Sequence, residues 1–314
     1  MTLAMVFPGQ GSQSVGMLAA LAEPHAEIRA TFKEAAEILG YDLWDLVQNG
    51  PAERLDETVV TQPAMLTAGV ATWRAWRRAG GDSPASMAGH SLGEYTALVC
   101  AGGLPFADAL RLVTRRAELM QAAVPAGKGA MAAILGLDDD AVIEACRQAA
   151  EGEVVSAVNF NSPGQVVIAG ERAAVERAAD LARAAGAKRA VLLSVSVPSH
   201  CELMRPAAEE LADSLADTPF GTLSIPVIGN ADVRPYGDAE QIRAGLAKQL
   251  HSPVRWTETV RDLINRGSSS IIECGPGKVL TGLTKRIDRS VPAMCIDTRE
   301  TMITALAEHA ATPR

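Results

Sequence analysis

Apolar runs of strand length alternate with longer segments in which apolar residues recur every three or four positions, and the alternation continues along most of the 314-residue chain. That is the pattern of an α/β protein with a largely parallel sheet. One stretch departs from it in an ordered way. Ala130–Leu137 reads as a strand, Asp138–Ala150 as a helix and Val154–Phe160 as a strand. Asn161-Ser162-Pro163-Gly164 then reads as a turn, Gln165–Ala169 as a strand, Glu171–Ala185 as a helix and Ala190–Val197 as a last strand. The order βαββαβ is that of a ferredoxin-like unit. Pro125-Ala126-Gly127 and Pro198 bracket it, so a small domain over 128–197 is expected as an insertion into a larger one made of 1–127 and 198–314. The alternative is that these elements extend the main sheet.

Composition narrows the class. With 48% hydrophobic and 21% charged residues the chain can bury a large core, and no apolar stretch approaches the roughly 20 residues of a membrane span. The N-terminus lacks a basic segment followed by an apolar one, so the expectation is a cytoplasmic protein that does not enter membranes. A net charge of −8 and only 4% aromatics argue against nucleic acid as a partner, and any anionic ligand must meet a local basic patch. The five cysteines, Cys100, Cys146, Cys201, Cys274 and Cys295, show no close pairing, so no metal site and no disulfide framework is expected.

Candidate chemistry begins at Gly89-His90-Ser91-Leu92-Gly93-Glu94, a Gly-x-Ser-x-Gly sequence between a short apolar run and a helix-forming segment. A serine hydroxyl stands clear of the backbone only on a sharp strand-to-helix turn, and flanking glycines remove Cβ atoms that would clash there. The following helix would bring free N–H groups to a developing oxyanion. The bland alternative is a glycine-bearing turn that happens to contain a serine. Ser91 also needs a base. Of the five histidines, His25 lies in a polar helical segment, His90 points away from its neighbour on the turn, and His309 is close to the C-terminus. His200 follows a strand in Ser196-Val197-Pro198-Ser199-His200, before a helix predicted over Cys201–Leu215, and ranks first by position. His251 ranks second, and a histidine with a purely structural role is the alternative.

The helix predicted over Phe106–Val124 places Arg116 on the same face as Leu112, Val113 and Met120, while Asp108, Arg111, Arg115 and Glu118 fall on another. An arginine turned inward must find an anion. Either an internal carboxylate pairs with it, or it grips a substrate carboxylate with two parallel hydrogen bonds.

Several stretches then occur in order: Val6-Phe7-Pro8-Gly9-Gln10-Gly11-Ser12-Gln13, the Ser91 turn, the inward Arg116, Asn159-Phe160-Asn161-Ser162-Pro163-Gly164-Gln165, Val197-Pro198-Ser199-His200, and Gln249-Leu250 before Ser252-Pro253-Val254. Together, and out to Glu273-Cys274-Gly275-Pro276-Gly277, they resemble the malonyl-CoA:acyl carrier protein transacylases of fatty-acid synthesis. The resemblance implies an α/β-hydrolase-like large domain carrying the small ferredoxin-like one. It implies Ser91 as nucleophile, His200 as base, and a carbonyl near Gln249 that orients the base. Backbone N–H groups of Gln10 and Leu92 would form the oxyanion hole, and Arg116 would bind the free carboxylate of malonate. Asn159, Asn161 and Asn230 would lie around the substrate, with Asn230 helping to hold the histidine ring. The implied reaction is ping-pong transfer of malonyl from malonyl-CoA to the phosphopantetheine thiol of acyl carrier protein, by a monomer without metal or other cofactor. The rivals are a discrete acyltransferase serving a polyketide synthase, a Gly-x-Ser-x-Gly thioesterase or esterase whose histidine comes late in the chain, at His251 or His309, and a silent carrier-binding module. Lys188-Arg189 and Lys278, Lys285 and Arg286 are the densest basic clusters and the candidates to receive an acidic carrier.

Overall fold

In the computed structural model residues 2–309 are described, apart from 126, 194 and 196. The strands are β1 (Leu3–Phe7), β2 (Ser86–Gly89), β3 (Gly129–Leu135), β4 (Val155–Ser162), β5 (Gln165–Glu171), β6 (Arg189–Leu192), β7 (Val227–Ile228), β8 (Ser270–Cys274) and β9 (Ala293–Ile296). Five of them form a sheet in the order β7-β2-β1-β8-β9, and every pairing within it is parallel. Strands in such a sheet are covered on both faces, which is why β1 and β8 are buried at every position. Alternate residues serve different cores. Ala4, Val6, Ala88 and Ile271 pack with Trp256, Val260 and Leu280, while Met5, Phe7, Met87 and Ile272 pack with Leu66, Trp76 and Leu98 on the opposite face.

The other four strands form an antiparallel sheet in the order β4-β5-β3-β6. Helices Asp139–Ala149 and Arg172–Ala184 pack on one face through Val142, Cys146, Val175 and Ala179. The other face, with Met131, Val158, Val167 and Ala169, closes over Cys201 beside the site described below.

Three boundaries differ from the sequence reading. First, β4 runs on through Asn161 and Ser162, so the turn shrinks to Pro163-Gly164, with Gly164 at φ +72°. Proline fixes the first turn position and glycine accepts the positive φ of the second. The strand absorbs the added length in two register shifts, which leave Val158 and Asn161 unpaired in the ladder. Second, the strand predicted over Ala190–Val197 ends at Leu192, although Leu193 N–H still donates to Met131 O. Positions 194 and 196 of that prediction lie outside the described residues. Third, the helix predicted over Cys201–Leu215 begins with the 3₁₀ turn Glu202–Met204 and becomes α-helical over Arg205–Asp217, because Pro206 suits a first turn that needs no N–H.

Candidate active site

Strand β2 ends at Gly89 and the helix Gly93–Cys100 begins four residues later, so the chain reverses over His90, Ser91 and Leu92. A Cβ on Gly89 would lie 1.9 Å from the carbonyl carbon of Gly93, and one on Gly93 would lie 2.1 Å from the carbonyl oxygen of Phe7. Both glycines are therefore demanded by close backbone approach, while Ser91 itself carries the positive φ of +51°. Such a backbone costs about 1–3 kcal/mol and persists only where its surroundings impose it. Here the restraint is Asn230, which is 1% exposed. Its Oδ1 accepts from Ser91 N–H at 2.7 Å, and its Nδ2 donates to Gly89 O at 2.6 Å.

His200 meets Ser91 from the other side. It also has a positive φ, +66°, and its own N–H donates to Leu250 O, which pins the corner after Pro198. The ring nitrogen Nδ1 lies 2.7 Å from Gln249 O, and Nε2 lies 2.7 Å from Ser91 Oγ. A carbonyl can only accept, so Nδ1 holds the proton and Nε2 is left to accept from the serine hydroxyl. Burial, then the charge of Arg116, push the His200 pKa down to about 3 against the smaller opposing pull of the Gln249 carbonyl. The imidazole is neutral and ready to take a proton.

Helix Phe106–Ala123 carries Arg116 on its buried face, as the helical spacing predicts. The side chain is 1% exposed, yet its partners are neutral: Nη1 donates to Gln62 Oε1 at 2.7 Å, and Nη2 donates to Gln249 Oε1 at 3.0 Å and to Ser91 Oγ at 3.2 Å. Nε has no partner among the described residues. Among the described residues no carboxylate makes an ion pair with Arg116, and a buried cation faces the serine with hydrogen-bonding capacity to spare.

A cavity of about 120 Å³ opens over these groups. Gln10, Gln62, Ser91, Leu92, Arg116 and His200 line it from the parallel-sheet side, and Met131, Asn159, Val167 and Leu193 from the antiparallel side. Gln10 reaches it because the preceding loop rests on the elbow: a Cβ on Gly9 would lie 2.5 Å from His90 O and 3.8 Å from Leu92 N. Asn159 Oδ1 is buried without a partner among the described residues.

Two of the asparagines sit elsewhere than expected. Asn230 does not touch the imidazole; both ends of its amide are used by the elbow backbone. Asn161 lies behind the cavity, where its Oδ1 is 2.8 Å from His90 Nε2 and ties β4 to the residue next to the serine. The late histidines are also placed away from the serine. His251 is absent from the cavity lining, and His309 is buried with Nε2 3.1 Å from Ser270 Oγ. Sequence reasoning overlooked Gln62 and Glu94. Gln62 precedes Pro63 in the helix Thr58–Arg78, which is buried nearly all round, so no polar face marked it. Glu94 is the last residue of the Ser91 motif, and an acidic residue leading into the apolar run Tyr95–Cys100 was the available signal.

Residues 4–303 match the family described as the acyl transferase domain. The malonyl CoA-acyl carrier protein transacylase of Haemophilus influenzae is 60% identical over 295 residues, spanning 94% of this chain and 95% of the relative. An acyl carrier protein S-malonyltransferase structure from Vibrio cholerae superposes with a TM-score of 0.94 at 58% identity, covering 97% of this chain and 99% of the other. A malonyl-transacylase solved in complex with a type II polyketide acyl-carrier protein gives 0.97 at 56% identity, covering 98% and 100%. With the family matched over nearly its whole length, this chain belongs to the acyl transferase domain family and groups there with the malonyl CoA-acyl carrier protein transacylases.

Proposed function

We propose that this protein transfers the malonyl group of malonyl-CoA to the phosphopantetheine thiol of acyl carrier protein through a malonyl ester on Ser91. The observation that carries the reading is the meeting of three groups in one cavity: Ser91 Oγ lies 2.7 Å from His200 Nε2 and 3.2 Å from Arg116 Nη2. In malonate the free carboxylate stands one methylene beyond the carbon under attack, so the cation that binds it has to lie within a few ångströms of the nucleophile. Arg116 does.

In the first half-reaction His200 Nε2 takes the Ser91 hydroxyl proton while Oγ adds to the thioester carbonyl. The resulting oxyanion is held by the N–H groups of Gln10 and Leu92, the C–S bond breaks, and the proton passes from His200 to the departing sulfur. The carrier thiol then gives its proton to His200, adds to the ester carbonyl and expels Ser91 Oγ, which recovers the proton. Gln249 orients the imidazole through its main-chain carbonyl, Arg116 holds the malonyl carboxylate, and Asn159 offers its unpaired Oδ1 to the donor. Asn230 and Asn161 act on the elbow rather than on the substrate. No step calls for a metal or redox group. His200, rather than a late histidine, at the serine supports transfer over the hydrolase reading.

We further read the fold as an α/β-hydrolase-like domain, residues 1–127 and 198–314, with residues 128–197 inserted as a ferredoxin-like domain. The β4-β5-β3-β6 order, the two helices on one face and a separate hydrophobic core support it. A cytoplasmic monomer fits this reading, and among the described residues no helix is long and apolar enough to cross a membrane. The test is intact mass after brief exposure to malonyl-CoA. A malonyl adduct that disappears in Ser91→Ala supports the assignment; an unmodified protein, or an adduct that survives the substitution, overturns it.

A further inference from the structure

Glu94 stands in the first turn of the helix that follows the nucleophile, where an acidic side chain would ordinarily face water and complement the helix dipole. It is instead completely buried. Its Oε2 accepts from the N–H of Asn230 at 2.9 Å and from Gln249 Nε2 at 3.0 Å, and its Oε1 accepts from the hydroxyl of Tyr236. Both nitrogen partners are donors that can accept nothing, so the surroundings stabilise a carboxylate. Burial pushes the carboxyl up from its ordinary value, while the hydrogen bonds from Tyr236, Gln249 and Asn230, and then the charge of Arg116, pull it back.

The same Gln249 amide that donates to Glu94 accepts from Arg116 Nη2 through Oε1 at 3.0 Å. A cation, an amide and a carboxylate therefore form one line, with the amide oxygen toward the positive end and its nitrogen toward the negative end. Gln249 Nε2 also donates to Ser91 O at 3.0 Å, and its backbone carbonyl orients His200. Ser91, His200 and Arg116 are thus all fastened to this residue, and Glu94 fastens the residue.

We propose that Glu94 is a positioning residue: acting through the Gln249 amide, it is the counter-charge of Arg116 and holds the carboxylate-binding arginine and the histidine in one frame. The proposal rests on Arg116 as the holder of the malonyl carboxylate. Distance is the point of the arrangement. A carboxylate in contact with Arg116 would compete with the substrate, whereas one removed by an amide balances the buried charge and leaves the guanidinium free to bind. Taking the Glu94 charge away should strengthen the pull of Arg116 on an anionic donor and let Gln249 slacken.

The experiment uses Glu94→Gln in the full-length protein. In a Ser91→Ala background, equilibrium binding of malonyl-CoA should tighten about threefold to tenfold, while acetyl-CoA, which has no free carboxylate, should change less than about twofold. With Ser91 intact, kcat for malonyl transfer should fall about tenfold or more. Adding Arg116→Met should abolish the difference between donors and recover melting temperature lost in either single variant, because both charges leave together. Should Glu94→Gln fail to fold alone, rescue of folding by Arg116→Met supports the pairing, and failure in both overturns it. Equal weakening of both donors, or additive losses of melting temperature, also overturns it. A parent protein that forms no malonyl adduct would instead remove the transfer reading, and this inference with it.

Discussion

Acidification should leave the acylation step nearly untouched down to about pH 5, well below the point at which an ordinary serine–histidine pair fails. The pKa of His200 drops from its usual 6.5 to about 3, and at about 1.36 kcal/mol per unit this is a preference of about 5 kcal/mol for the neutral ring. At pH 5 a base with pKa 6.5 would be only about 3% neutral and the rate would fall about thirtyfold, whereas a base near 3 stays about 99% neutral. The assay is kcat/KM for malonyl transfer from malonyl-pantetheine, which lacks the titrating phosphates of coenzyme A, followed from about pH 8 to pH 5. Because kcat/KM reports the free protein, it should be flat across that window. Arg116 supplies part of the depression, after burial, and a bound malonyl carboxylate cancels its charge. The acid limb of kcat should therefore lie above that of kcat/KM, and Arg116→Met should raise the latter. Stability carries the same signature with a definite sign. Below pH 6.5 the unfolded histidine binds a proton that the native one refuses until about pH 3, so stability falls as pH drops through that window, by at most about 5 kcal/mol. A break in kcat/KM between about pH 6 and 7 would refute the reasoning.

Arg116→Met should cost malonyl-CoA about 3–5 kcal/mol in kcat/KM, a factor of about 10² to 10³ or more, and acetyl-CoA less than about tenfold; equal losses, measured with both donors, would return Arg116 to a structural role. Asn230→Ala leaves Ser91 N–H and Gly89 O without their partner, so a loss of about 1–3 kcal/mol in thermal or denaturant unfolding should accompany a lower kcat, with the malonyl-to-acetyl ratio unchanged; a shifted ratio would put Asn230 on the substrate after all. Lys188 and Arg189, and Lys278, Lys285 and Arg286, are exposed, and reversing these charges should slow transfer to the acidic carrier more at low salt than at high salt while leaving formation of the Ser91 ester unchanged; a normal second half-reaction after reversal of both clusters would discard them as the docking surface.

The parts of the site that sequence made legible are those whose function imposes a local rule. Gly89 and Gly93 had to be small for Ser91 to stand out, and the helical period alone turned Arg116 inward with Leu112, Val113 and Met120. The two-sheet organisation followed from the switch of pattern near Ala130. What stayed hidden depends on three-dimensional company. Glu94 in a first helical turn looks like a solvated acid, and only the arrival of Tyr236, Asn230 and Gln249 from much later in the chain makes it a buried one. Gln62 sits in a helix with no polar face to break. The turn at Asn161 was misplaced because a strand that bulges twice cannot be told by alternation from one that has ended.

That the imidazole of His200 leans on a main-chain oxygen rather than on a side-chain carboxylate bears on which bonds this site can exchange. A neutral acceptor selects the tautomer but offers little help to an imidazolium, so the positive ring must be short-lived. Thiols, with pKa values of about 8–9, leave and attack with little proton assistance, so in a site that trades one thioester for another through a serine ester it is the Ser91 oxygen alone that leans heavily on the ring for its proton. An amine makes a far heavier demand on the departing proton, which sets such a catalyst apart from peptidases built around a similar serine. The acceptor is also beyond the reach of point mutation. No substitution at 249 deletes a backbone carbonyl, and so the side chain there has been left at liberty to serve the arginine.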